Sequence, residues 1–134
     1  MPTIRRRDLL IIVAAGGAIG TIARYELGQA IRPSTHGFPW STFLANQTGA
    51  FALGLFLTMV AATTARGLRM RAFIAVGFLG AYTTFSSFTV ETALLVKAHH
   101  GALALVYFSS TIAVGLTVAW LGIGSGRRLS AARA

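Results

Sequence analysis

The chain reads as an all-α integral membrane protein, a four-helix subunit with a break in its third helix. Three observations predict this. Of 134 residues 54% are hydrophobic and 11% charged, whereas a water-soluble domain carries about 25% charged residues. The mean hydropathy of +0.68 agrees. Four mostly apolar runs, at about 9–31, 41–64, 70–96 and 102–123, each have the roughly 20 residues that a bilayer crossing needs. The third run, finally, gathers glycines and hydroxyl residues at its centre, where a regular apolar helix would carry neither.

The first run follows Arg5, Arg6 and Arg7. Arg6-Arg7-Asp8-Leu9-Leu10 has the outline of a twin-arginine export signal. A plain first helix with a basic flank explains the same residues and retains Arg24. Arg24 lies well inside the span, either snorkelling towards an interface or supplying a fixed positive charge at a watery entrance. Pro33 and Pro39 punctuate the first connection, and Trp40 and Trp120 sit near span ends, as interfacial rings do.

In the second run Thr42 and Asn46 are four apart on one helical face, which Gly49 continues. Small residues there permit close helix approach. The Asn46 amide serves either as a bond between helices or as a donor facing an ion. The third run reads Gly77-Phe78-Leu79-Gly80-Ala81-Tyr82-Thr83-Thr84-Phe85-Ser86-Ser87-Phe88. Its hydroxyls and β-branched residues are mediocre helix formers, so a local break is expected, in a place where freed carbonyls can hold a cation. Phe85 and Phe88 share a face, Ser87 and Glu91 form a neighbouring stripe, and the fourth run adds Tyr107, Ser110 and Thr111.

Charge gives the topology. Arg5, Arg6, Arg7, Arg66, Arg69, Arg71, Arg127, Arg128 and Arg133 fall on the side of the termini and the middle connection, against Arg32 and Lys97 on the other. The positive-inside rule therefore puts both termini in the cytoplasm of a multi-pass cell-membrane protein. A formal net charge of +9 would indicate nucleic acid in a soluble chain, but these charges flank apolar spans, so no nucleic acid is expected. With no cysteine, disulfides and thiolate metal sites are excluded. Asp8, Glu26 and Glu91 are scattered and His99 and His100 adjacent, so no enzyme constellation is present.

Hydroxyl, amide and ring-edge donors with few fixed charges suit a small, hard, strongly hydrated anion. Several donors must replace its water, and a ring edge carries partial positive charge. A full cation in the narrow part would bind the ion too tightly for conduction. A cation at the mouth attracts it without holding it.

At these residues the chain resembles the Fluc fluoride channels, also called the CrcB family. The resemblance rests on Gly16-Gly17 through Arg24-Tyr25, on Asn46 with Gly49, and on Gly80-Ala81-Tyr82-Thr83-Thr84-Phe85-Ser86-Ser87-Phe88. It implies passive fluoride export through an antiparallel, dual-topology dimer. It further implies a sodium ion at the dimer centre, held by the backbone carbonyls of Gly80 and Thr83. The fluoride pathway it implies comprises Asn46, Phe85, Phe88, Ser87, Tyr107, Thr42, Thr111 and Glu91, with Arg24 at the vestibule. The chain departs from the family pattern at Ala81, Thr111 and Gly115. Its charge bias departs too, because a homodimer of opposite orientations needs balanced flanks. The partner is thus either an oppositely oriented copy or a paired homologous subunit. Two rival readings stand beside the channel: an accessory half without its own pathway, and a small four-helix multidrug exporter, against which Arg24 beside Glu26 argues.

Overall fold

The computed structural model describes residues 4–31, 37–60 and 64–132, and every regular element among them is a helix. Arg32 and Pro33 of the first connection, positions 61–63 of the predicted second span, and Arg133 lie outside the described residues. Helix α1 spans Arg6–Ala30 and α2 spans Trp40–Met59. The third leg starts as α3 (Ala65–Met70), continues as a π-helical stretch (Arg71–Leu79) and ends as α4 (Gly80–Tyr82). Thr83 and Thr84 are extended, α5 (Phe85–Lys97) follows, and α6 (Gly101–Ala131) completes the bundle.

Among the described residues, three helical segments are long and apolar enough to cross a membrane: Arg6–Ala30, Ala65–Lys97 and Gly101–Ala131. The predicted second span, at about 41–64, is helical over Trp40–Met59 and continues into residues outside the described ones. Helix α2 has 20 residues, enough to cross, but the adjacent amides of Asn46 and Gln47 dilute its apolar character. Two boundaries also move. The predicted connection 65–69 is helical, because Thr64 Oγ1 accepts a hydrogen bond from the Gly67 N–H at 3.1 Å and caps α3. Helix α6 runs past the predicted end at 123, where Gly126 keeps its backbone against Leu55 and Thr58 of α2.

Glycine sets the packing. A Cβ at Gly16 or Gly20 of α1 would fall on the carbonyl oxygens of Phe73 and Phe78, and one at Gly77 would lie 2.6 Å from the Val13 carbonyl. A Cβ at Gly122 of α6 would meet the Phe51 carbonyl of α2. The bundle is therefore two pairs joined backbone to backbone, α1 with the third leg and α2 with α6. Helix α5 packs on α6 through Phe88, Leu95, Ala104 and Tyr107. Bulky side chains such as Ile19, Ile22, Leu105, Leu116 and Trp120 point outwards, while Thr42, Gln47 and Thr111 are buried. That is the inverse of a water-soluble bundle.

Two helix ends are closed by specific bonds. Arg71 donates from its guanidinium to the Val60 and Leu57 carbonyls, both at 2.8 Å, placing positive charge on the C-terminus of α2. Helix α5 ends with His99 N–H bonded to the Val96 carbonyl and His100 N–H to the Leu95 carbonyl, the paired closure that favours a left-handed residue. His99 takes that conformation with φ 60°. Since glycine enters it without a Cβ clash, His99→Gly is expected to stabilise the fold by about 1 kcal/mol, measured as a rise in the detergent melting temperature.

Candidate ion pathway

The site is built on the break in the third leg. Asn46 Nδ2 donates to the Thr84 carbonyl at 3.0 Å, and its Oδ1 accepts from the Thr84 N–H at 2.8 Å. One carboxamide thus takes both polar groups of an extended residue that would otherwise be unpaired. Thr84 Oγ1 accepts from the Ser87 N–H at 3.1 Å and caps α5, with the Ser86 and Ser87 hydroxyls 3.2 and 3.1 Å away. In an unbroken helix the Thr84 and Ser87 N–H groups would point at the carbonyls of Gly80 and Thr83. Here they bond Asn46 and Thr84 instead.

Two cavities meet at Thr84. One, of about 280 Å³, is lined by Thr21, Arg24, Tyr25, Thr42, Thr84 and Ser87. Positive potential reaches it from the Arg24 guanidinium and from the N-terminus of α5, so it favours an anion. The other, of about 480 Å³, is mostly apolar and takes in Asn46, Gln47, Gly80, Thr83, Phe85 and Thr111. Asn46 and Thr42, one turn apart on α2, therefore serve adjoining cavities.

Beside the break the rings of Phe85 and Phe88 lie 5.9 Å apart at 54°. Phe88 is 4% exposed and Phe85 79%, so the two share a neighbourhood but not an environment. The Phe88 ring is tilted 63° to Tyr107 at 5.3 Å and stacks on Phe108 at 5.5 Å. Below them Glu91 joins three helices. Its carboxylate accepts from Thr42 Oγ1 and from the Tyr107 hydroxyl, both at 2.7 Å. Tyr107 is fully buried.

Residues 11–123 match the family model for CrcB-like protein, Camphor Resistance (CrcB). The chain belongs to the CrcB-like family. It is 46% identical over 123 residues to a fluoride-specific ion channel, FluC, of Acidobacterium capsulatum, covering 89% of this chain and 96% of that protein. Proteins of the same name from Thermus thermophilus and Agrobacterium fabrum are 41% and 35% identical, over 89% and 90% of this chain and 95% and 97% of theirs.

In this CrcB-like chain Arg24, Thr42 and Ser87 come together at one cavity, and Asn46, Gly80, Thr83, Phe85 and Thr111 at the other. Phe88, Glu91 and Tyr107 line neither; they form the packed strip between α5, α2 and α6. Gly49, read as continuing the Thr42–Asn46 face, receives Thr83, whose methyl occupies the space a Cβ would need. Gln47 escaped the sequence reading. It is 7% exposed and bonds the Thr111 carbonyl through Nε2 at 3.2 Å. Two consecutive amides in an apolar helix were the available signal, since the bilayer leaves each needing a partner.

Proposed function

We propose that this chain is a fluoride-specific ion channel that lets fluoride leave the cell passively and so relieves fluoride toxicity. Its similarity to channels of that name runs along nearly their whole length. The observation that carries the reading is the Asn46-latched break with neutral donors on both sides and a single guanidinium at the rim. Arg24 and the α5 N-terminus draw the anion into the outer cavity, where the hydroxyls of Ser87 and Tyr25, which accept from Thr84 Oγ1 and Gln29 Nε2 and so keep their own hydrogens to donate, replace lost water. The ring edges of Phe85 and Phe88 continue the line without adding charge, so the ion is never held too tightly to leave. No chemical step occurs, so the chain is not an enzyme. The exporter reading would need a sheltered carboxylate in α1, and Glu26 is exposed.

The working unit, on this reading, is a dimer with an oppositely oriented copy or with a paired homologous subunit. The open face at Phe85, Gly80 and Thr83 offers a place for such a partner. A sodium ion suits the Gly80 and Thr83 carbonyls, since hard cations take backbone oxygens released by a helix break, and the donors that would cover those carbonyls are bonded elsewhere. The concentration of arginine at one set of span ends favours both termini in the cytoplasm and a paired subunit of opposite bias.

Liposomes holding the purified chain alone are expected to release fluoride and to retain chloride. Phe88→Ile should slow fluoride release by about tenfold, since it removes a ring edge while keeping an apolar side chain. Fluoride retained by every preparation, including one co-purified with a homologous subunit, would overturn the channel reading. Reporters on each terminus separate the assemblies: signal from both orientations supports the homodimer, and from one orientation the paired subunit.

A further inference from the structure

Among the described residues, one buried side-chain polar atom at the larger cavity has no partner. Of the polar side chains lining it, Asn46 is bonded to Thr84, Thr83 Oγ1 donates to the Leu79 carbonyl at 2.9 Å, Thr111 Oγ1 donates to the Tyr107 carbonyl at 2.7 Å, and Thr84 Oγ1 caps α5. Gln47 alone keeps an unpaired group. Its Oε1 is buried and meets no hydrogen-bond donor among the described residues. Its orientation follows from chemistry, because the Thr111 carbonyl can only accept and must therefore face Nε2. A buried amide oxygen without a donor costs about 1–3 kcal/mol, so a residue that leaves one in place needs a ligand for it.

Space has been left beside that oxygen. Tyr107, Thr111 and Gly115 succeed one another at four-residue spacing on the face of α6 towards α2, and the row of side chains stops at Gly115. A Cβ there would come 3.4 Å from Gln47 Oε1 and 4.0 Å from Nε2. Gln47 thus reaches over a glycine, from the neighbouring helix, into the level where α6 supplies no side chain. The cavity has room for several waters.

We propose that Gln47 and Gly115 together form a station for a partly hydrated small anion, the inner stop of the fluoride pathway. Gln47 Oε1 accepts a hydrogen bond from a water seated over Gly115, and that water turns its other hydrogen to the anion. Nε2, which carries a second hydrogen beside the one bonded to Thr111, donates to the anion directly. The amide binds water and ion by opposite ends, and neither contact carries a full charge. This inference rests on the fluoride-channel reading.

Fluoride and chloride efflux from liposomes would be measured for the parent chain, Gln47→Leu and Gly115→Ala, each checked for a monodisperse detergent peak. Gln47→Leu keeps the bulk and removes both polar ends; Gly115→Ala leaves the amide and places a methyl where the water sits. Each is expected to slow fluoride release by about tenfold, the effect of one lost polar contact. A parent that conducts fluoride while Gly115→Ala, or a well-folded Gln47→Leu, conducts equally fast overturns the station and leaves the channel standing. A parent that passes no fluoride alone or with a homologous subunit overturns both. If Gln47→Leu fails to fold, Gly115→Ala decides alone, since its methyl meets only ordinary contacts.

Discussion

Replacing Asn46 with leucine is expected to lower fluoride efflux about a hundredfold, because it leaves the Thr84 N–H and carbonyl without partners at about 1–3 kcal/mol each. The break would then relax towards regular helix, turning Thr84 and Ser87 back onto Gly80 and Thr83 and closing the point at Thr84 where the two cavities meet. Asn46→Asp should be as damaging for a different reason. Its carboxylate still accepts from the Thr84 N–H, but sets a second oxygen against the Thr84 carbonyl and negative charge beside an anion path. Efflux within about threefold of the parent for Asn46→Leu, a small change on the scale of one lost bond, would show that the break stands without its latch.

Gly20→Val should have the largest effect on folding. A side chain there must displace the Phe78 backbone, whose carbonyl oxygen, carbon and Cα all crowd the Cβ position. Overpacking usually costs about 1–3 kcal/mol, and more where the obstacle is backbone that cannot change rotamer. The expected outcome is loss of the monodisperse peak. Gly124→Ala is the control: nothing lies within 4 Å of the added methyl, and alanine is the better helix former by about 1 kcal/mol. Equal yields of the two variants would remove close backbone contact as the reason α1 holds the third leg.

How much could be read from the sequence differs from residue to residue. The break was legible because glycines, hydroxyls and β-branched residues all act locally, and the structure puts it at Thr83 and Thr84. That Asn46 matters was legible; that it grips a backbone 38 positions away was not, since helical spacing tells which residues share a face and not what the face meets. The same gap hid the Glu91 junction. Helical spacing puts Ser87 and Glu91 on one stripe, yet Glu91 finds its donors on α2 and α6. The reading of Arg71 as a topology charge missed that its guanidinium also closes α2. The end of α6 was misplaced because its last turns are held by Gly122 and Gly126 against α2, a tertiary effect with no local signature.

A bundle with glycines at its helix contacts and bulky aliphatic side chains over its outer surface carries an inverted record of constraint. Hydrocarbon tails solvate isoleucine, leucine and valine alike, so an exhaustive substitution library should find Ile19, Ile22 and Leu105 freely exchangeable among aliphatics. Gly16, Gly20 and Gly122, the residues with least to offer chemically, should tolerate almost nothing. For such a protein, invariance marks where two backbones touch, and variation marks where lipid begins.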